Sequence, residues 1–280
     1  MYISDSLIER IILEDVPYID LTTMILGIGG KPGKIEFFTR EEAVLAGTEL
    51  VMRIFAKLNV ETTVFIPSGQ MVAPETVFLE GRGTASDLHA AWKVSLNVLE
   101  YCSGIATKTA KLVRSARAVN PQISIVTTRK VFPGTKELAI RAVVAGGGIP
   151  HRLGLSETVL VFQQHLNFLG GVEGFLRILD QVRAGACEKK IVVEAQDRDT
   201  ALRLCRAGVH GIQFDKVPPR QLKAIVGEVR AIDPAVTLLA AGGINLDNVE
   251  EYARTGVDAI VTTSVYFGKP VDMSARITGA

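Results

Sequence analysis

The chain has 280 residues, 48% of them hydrophobic and 22% charged, enough apolar material for one large or two smaller domains with a full core. Its formal net charge of +1 excludes the diffuse basic face of a nucleic-acid or membrane-surface binder, and no apolar run approaches the roughly 18–20 residues of a membrane span. The N-terminus M-Y-I-S-D-S-L-I-E-R lacks the order of a signal peptide, and Cys102, Cys187 and Cys205 are scattered without C-x-x-C spacing, so the expected location is the cytoplasm.

In chain order, strand-like runs come first. K-I-E-F-F-T-R and V-E-T-T-V-F-I-P-S-G fall between about residues 34 and 80, with turns at Gly47, Ser68-Gly69 and Pro74. A helix is expected over Glu42–Leu58, where Val44, Leu45, Leu50, Val51, Ile54 and Leu58 keep near-helical spacing. A longer helix is expected over Ser86–Cys102, with Ser86 as N-cap and Leu88, Trp92, Leu96 and Leu99 on its apolar face. Beyond about residue 120 the pattern changes to short apolar strands alternating with helices. The strands are Ile123–Thr127, Thr158–Val161, Ile191–Glu194, Gly211–Phe214, Thr237–Ala240 and Ala259–Thr262; the helices between them include Glu137–Ala145, Asp199–Ala207 and Asp247–Thr255. Nearly continuous Val/Ile/Leu strands alternating with helices imply a parallel sheet buried on both faces. No G-x-G-x-x-G follows the first of these strands, which favours an α/β barrel over an open doubly wound sheet.

Chemistry in a barrel gathers at the C-terminal ends of its strands, and the polar residues of interest fall there. Arg129 and Lys130 end the first of these strands; Lys136, His151 and Arg152 follow within two dozen residues, a concentration of charge suited to a small anion. Glu194 ends I-V-V-E and Asp215 ends G-I-Q-F-D, two carboxylates suited to Mg²⁺ or to the hydroxyls of a sugar. Gly242-Gly243, read as lying directly before a helix that holds Asn245 and Asp247, joins Thr262, Thr263 and Ser264 in a backbone cradle suited to phosphate. Each element alone has a structural explanation: a tight turn, a helix cap, a solvated pair. His89, His165 and His210 read as packing residues. Assembled on one rim, the set suits a sugar phosphate that carries a further charged leaving group.

The motifs D-L-T-T (Asp20–Thr23), S-G-I-A-T-K-T (Ser103–Thr109), T-R-K-x-x-P-G (Thr128–Gly134), G-G-G-x-x-H-R-L-G-L (Gly146–Leu155), V-V-E (Val192–Glu194), F-D (Phe214–Asp215) and G-G-I-N (Gly242–Asn245) occur in the order that resembles the quinolinate phosphoribosyltransferase family, also called nicotinate-nucleotide pyrophosphorylases. The resemblance implies an N-terminal α/β sandwich domain over residues 1–107, completed by the tail at about 268–280, and an incomplete α/β barrel over residues 108–267. It implies a homodimer with a shared active site. It further implies transfer of ribose 5-phosphate from phosphoribosyl pyrophosphate to a ring nitrogen of an aromatic acid, with Mg²⁺ and release of pyrophosphate. By position, Arg129, His151 and Arg152 match residues that grip the acceptor carboxylate, and Lys130 matches one that reaches the donor. Glu194 and Asp215 match acids near the ribose hydroxyls and metal. Gly242, Gly243, Thr262 and Thr263 fall where the family holds the 5-phosphate, with Thr263 in place of a glycine and Ala241 in place of a serine.

Two departures touch the acceptor. Lys93, in W-K-V-S-L-N, stands where quinolinate enzymes carry an arginine that crosses to the partner's site, and Phe162, in F-Q-Q-H, stands where they carry a lysine. One cation is lost, and a bidentate fork becomes a point charge. The departures resemble the ModD branch, pyrophosphorylases associated with molybdate transport, and imply an acceptor other than quinolinate. A true quinolinate enzyme of NAD synthesis and a non-catalytic protein of molybdate handling are the alternatives.

Overall fold

The computed structural model describes residues 2–280. The chain divides into two units, Met1–Ala110 with Phe132–Gly147 and Tyr266–Ala280, and Lys111–Val131 with Gly148–Val265.

The first unit holds helices α1 (Asp5–Asp15), α2 (Leu21–Ile25), α3 (Thr48–Lys57), most of α4 (Ala85–Val119) and α5 (Lys136–Ala145). Its strands are β1 (Pro32–Thr39), β2 (Ala43–Val44), β3 (Glu61–Phe65), β4 (Met71–Val72), β5 (Val77–Thr84) and, from the C-terminal tail, β13 (Met273–Gly279). An antiparallel sheet runs in the order β13-β1-β5-β3, so the last strand in sequence lies against the first. Alternation along β1 sorts its side chains. Ile35, Phe37 and Thr39 are fully buried, and Phe37 meets Phe55 of α3; on the other face Lys34 and Arg276 pair with Glu36. The segment carrying α5 groups with this unit because Ala142 joins its core and Leu138 and Ala145 pack on that core.

Two helix expectations need correction. Glu42–Leu58 is not one helix: β2 and a turn at Gly47 precede α3. Gly47 sits at φ +91, and a Cβ there would come within 2.9 Å of Val98, so the apolar spacing runs unbroken across a position where the backbone reverses hand. The helix expected to end at Cys102 instead runs 35 residues, through Gly104 to Val119. Its N-terminus is capped not by Ser86 but by Thr84, whose hydroxyl accepts from Asp87 N at 3.3 Å and donates to the Asp87 carboxylate at 2.6 Å. Gly104 is a point of close approach: a Cβ there would lie 2.4 Å from the Lys269 carbonyl oxygen. Gly104→Ala should therefore destabilise by about 1–2 kcal/mol, because overpacking against rigid backbone outweighs the ~1 kcal/mol gain in helix propensity; chemical denaturation would measure it. The S-G-I-A-T-K-T motif around this glycine is structural. Ser103 Oγ accepts from Ala46 N at 3.0 Å, and Thr107 Oγ1 accepts from Val44 N at 2.9 Å, tying β2 to α4.

The second unit is built on β6 (Ser124–Thr127), β7 (Ile149–Pro150), β8 (Val159–Val161), β9 (Ile191–Ala195), β10 (Gly211–Asp215), β11 (Thr237–Ala241) and β12 (Ala259–Thr262). They form one sheet, in the order β7-β6-β12-β11-β10-β9-β8, and every pairing is parallel. The barrel is incomplete, since β7 and β8 are edges that do not pair. Helices α6 (Gln163–Leu166), α7 (Val172–Arg177), α8 (Leu179–Gly185), α9 (Arg198–Arg206), α10 (Pro219–Ile232) and α11 (Val249–Ala253) connect the later strands. Register separates two faces. Val126, Leu160, Val192, Leu239, Ala241, Ala259 and Val261 pack together on the concave side, with Phe162 against them; the intervening Ile212, Phe214, Leu238, Ala240 and Ile260 are buried on the other. No helix among the described residues is long and apolar enough to cross a membrane.

Candidate active site

Parallel pairing brings the C-terminal ends of all seven strands to one rim, and most of the candidate residues lie there. Thr128, Arg129 and Lys130 follow β6, and His151 and Arg152 follow β7. Phe162 follows β8, Glu194 lies in β9, Asp215 closes β10, Gly242 and Gly243 follow β11, and Thr263 follows β12. Lys93, on α4, and Lys136, on α5, belong to the first unit.

The cationic side is under electrostatic tension. Arg152 is only 7% exposed and donates through Nη1 to the Thr158 carbonyl at 3.3 Å. Burial, and then the neighbouring Arg129 guanidinium, lower its pKa from the ordinary arginine value. His151 is half-buried; burial and the Arg152 charge push its pKa below the usual histidine range, and its Nε2 has no hydrogen-bond partner among the described residues. Two neighbouring guanidiniums, beside an imidazole whose charged form burial disfavours, are suited to a carboxylate, which would relieve the repulsion between them. Lys130 is exposed, with its backbone N–H held by Thr128 Oγ1 at 3.2 Å.

The acidic side lies on neighbouring strands. Burial first, and the charge of Asp215 second, raise the pKa of Glu194 above the usual carboxylate range; the Gln213 side chain and the Gln163 backbone act in the opposite direction. No ion pair joins either acid among the described residues. Lys216 follows Asp215 in a left-handed conformation at φ 58, with its backbone N–H bound to Ala241 O at 2.8 Å. A Cβ on Gly242 would fall 2.5 Å from Lys216 Cγ and 2.8 Å from Asp215 Oδ1, so only glycine lets this loop pass the acid. Gly243, at φ +76, faces open space.

The phosphate cradle differs from expectation in two ways. The paired glycines do not open directly into a helix: α11 begins at Val249, Asn245 N donates to Asn248 Oδ1 at 2.9 Å, and Asp247 N donates to Asn245 Oδ1 at 2.8 Å. The Asx-type turns of G-G-I-N-L-D-N satisfy these groups locally, a common alternative to helix where Asn is dense. The Thr262 side chain is likewise committed. It is 2% exposed and its hydroxyl donates to Ile244 O at 2.6 Å, so it braces the glycine loop from behind and offers no donor to a ligand. Thr263 Oγ1 instead meets Thr128 Oγ1 at 2.8 Å.

Two rim residues, Lys216 and Gln213, escaped the reading of the sequence, while His165, read as a packing residue, packs. His165 stacks on Phe162 with ring centroids 5.8 Å apart, and its Nδ1 accepts from Phe162 N at 3.0 Å; the F-x-x-H spacing at a helix start is the signal. Lys216 adds a cation beside Glu194. Gln213 is buried between the acid and the apolar strands.

The second unit is thus a parallel α/β half-barrel whose rim carries the buried Arg152, two acids on neighbouring strands and a glycine loop, an architecture that enzymes use for phosphorylated substrates. The model for the C-terminal domain of quinolinate phosphoribosyl transferase matches residues 105–276, and the model for its N-terminal domain matches residues 20–103. A provisionally named pyrophosphorylase ModD from Pasteurella multocida is 36% identical over 277 residues, covering 99% of this chain and 98% of that one. The human nicotinate-nucleotide pyrophosphorylase (carboxylating) is 31% identical over 255 residues, covering 91% of this chain and 84% of that one. The crystal structure of NadC from Streptococcus pyogenes shares the fold with a TM-score of 0.91 at 24% identity, covering 100% and 99% of the two chains. The chain belongs to the quinolinate phosphoribosyltransferase family, and with it to the pentosyltransferase class of enzymes.

Proposed function

We propose that this enzyme moves ribose 5-phosphate from phosphoribosyl pyrophosphate to a ring nitrogen of an aromatic acid other than quinolinate, and that it serves molybdenum transport or metabolism in the cytoplasm. The observation that carries the reading is the unequal state of the two sides of the rim. The side holding Lys130, Glu194, Asp215, Gly242 and Gly243 keeps the donor-handling set. On the other side Phe162 packs on the apolar barrel interior and stacks on His165, which gives an aromatic surface where a quinolinate enzyme has a cation. The chain is similar to pyrophosphorylases named ModD, and the molybdenum role is what the resemblance to that branch implies.

In this reading Arg152 and Arg129 orient the acceptor through a carboxylate, with neutral His151 beside them. The ring nitrogen attacks C1 of the ribose as the C1–oxygen bond to pyrophosphate breaks, and the bonding pair leaves with the pyrophosphate. Positive charge grows on the sugar, where Glu194 and Asp215 stabilise it, and negative charge grows on the leaving group, toward which Lys130 extends. Two carboxylates outside any ion pair among the described residues fit Mg²⁺, which keeps much of its shell as water and phosphate oxygens; among the described residues no group of three or more His, Cys, Asp or Glu forms a protein cage. Glu194 and Asp215 would hold it, and when bound it neutralises charge on the pyrophosphate.

The functional unit in this reading is a homodimer, with Lys93 serving the partner's site. Tyr18, Ile19, Leu21, Met24, Ile25 and Leu26 are all more than half exposed around α2, an apolar band that a second copy would cover. A sedimentation mass equal to one chain would refute the dimer.

The decisive assay is pyrophosphate release from phosphoribosyl pyrophosphate across a panel of aromatic acids with Mg²⁺. Release with a non-quinolinate acid and not with quinolinate is expected; efficient conversion of quinolinate to nicotinate mononucleotide would make this a carboxylating enzyme like its human relative. Phe162→Lys combined with Lys93→Arg should tighten binding of pyridine dicarboxylates by roughly 10- to 100-fold, the effect of one or two charge-assisted contacts. Unchanged calorimetric affinity would move acceptor selection elsewhere.

A further inference from the structure

Gln213 is a buried polar side chain on the concave face of the half-barrel. It lies at the centre of β10, in register with Glu194 on β9 and Leu239 on β11, and is 5% exposed. Its neighbours Ile212 and Phe214 turn to the opposite face, where they are buried. The apolar cluster on this face includes Leu160, Val192 and Leu239, which supply no side-chain donors. Facing the Glu194 carboxylate, the carboxamide must present its N–H, since an ionised carboxylate only accepts. That choice leaves Oε1 as the free acceptor, and this buried atom has no hydrogen-bond partner among the described residues. A buried acceptor without a donor is costly, and in a site floor it is complementary to a ligand hydrogen.

We propose that Gln213 is a specificity-determining residue for the sugar: its Oε1 accepts a hydrogen bond from one ring hydroxyl of the pentose that Glu194 and Asp215 engage from the rim. The inference rests on the phosphoribosyl-transfer reading and deepens it, since it makes the enzyme a discriminator between ribose and deoxyribose donors. The carboxamide also couples the two contacts: the N–H that supports the Glu194 charge orients the oxygen that reads the hydroxyl.

The test is calorimetric binding of phosphoribosyl pyrophosphate with Mg²⁺, and of its 2-deoxy and 3-deoxy counterparts, to the full chain and to Gln213→Met, an apolar replacement of similar length. The unaltered protein should bind one deoxy donor roughly tenfold more weakly than the parent. In Gln213→Met the parent should weaken by a similar factor and the discrimination should vanish. Equal discrimination in the variant would overturn the inference, as would binding of both deoxy donors to the unaltered protein within about twofold of the parent. Gln213→Leu serves the same comparison should the methionine variant fold poorly. Absence of any donor binding by the unaltered protein would remove the phosphoribosyl-transfer reading and this inference with it. Binding with undisturbed discrimination would remove this inference alone.

Discussion

Arg152→Ala is expected to lower kcat/KM for the aromatic acid by roughly 10²–10³-fold while leaving the fold intact. Truncating one partner of a desolvated charge contact costs about 2–5 kcal/mol, because the other charge is left buried and unpaired. Arg152 meets that condition: it is 7% exposed, and burial with the Arg129 charge already disfavours its cationic form. Removing the side chain relieves the repulsion and breaks one bond, to Thr158 O, so the melting temperature should move little. Arg129 is exposed, and Arg129→Ala should cost closer to tenfold. Steady-state kinetics with thermal unfolding of both variants separates the two effects; full activity in Arg152→Ala would place the acceptor carboxylate elsewhere.

The second large effect has opposite signs in activity and stability. Glu194→Gln should reduce kcat by roughly 10²–10³-fold, the usual loss when a charge that meets the transition state is neutralised. The same change should stabilise the protein at neutral pH. Burial and Asp215 raise the native pKa of Glu194 above its unfolded value, so ionising it costs more in the native state than in the unfolded chain. The stability this confers is fully present below the unfolded pKa, near pH 4, and is lost as pH rises through the native value. Glutamine escapes that loss. The gain should be present at pH 7.5 and absent near pH 4, limited by solvent screening at this partly exposed site. Thermal unfolding at the two pH values checks the sign, and a destabilised variant at pH 7.5 would mean that Glu194 holds the fold.

The second unit was the more legible part of the chain. Its strands are almost wholly apolar and separated by polar helices, and six of the seven stand within a residue or two of where the pattern puts them. The exception is β7, two residues in a G-G-G-I-P-H run that no periodicity marks. Local pattern misleads where tertiary contact decides. The helix expected to end at Cys102 runs on through Gly104, which packs against the Lys269 carbonyl, and Val44-Leu45 reads as helix until Gly47 turns the backbone. The site divides in the same way. Arg129, Arg152, Glu194 and Asp215 announce themselves as charges at strand ends. Gln213 does not, because in a strand buried on both faces no alternation tells which residues face inward. Thr262 shows the converse: one residue from Thr263, it belongs to the other face, and its hydroxyl is spent on the loop.

The unpaired edge between β7 and β8 has a consequence for how such an enzyme changes. These are the shortest strands of the sheet, two and three residues, each held by a neighbour on one side only. His151 and Arg152 leave one of them and Phe162 leaves the other, whereas Glu194, Asp215 and Gly242 ride on strands locked from both sides. The seam of the half-barrel is thus where residues can be exchanged at little structural cost, and it coincides with the part of the rim that would choose the acceptor. A catalytic half fixed in the middle of the sheet and a recognition half hung on its loose margins would let one scaffold diversify its acceptors while leaving the bond-breaking apparatus untouched.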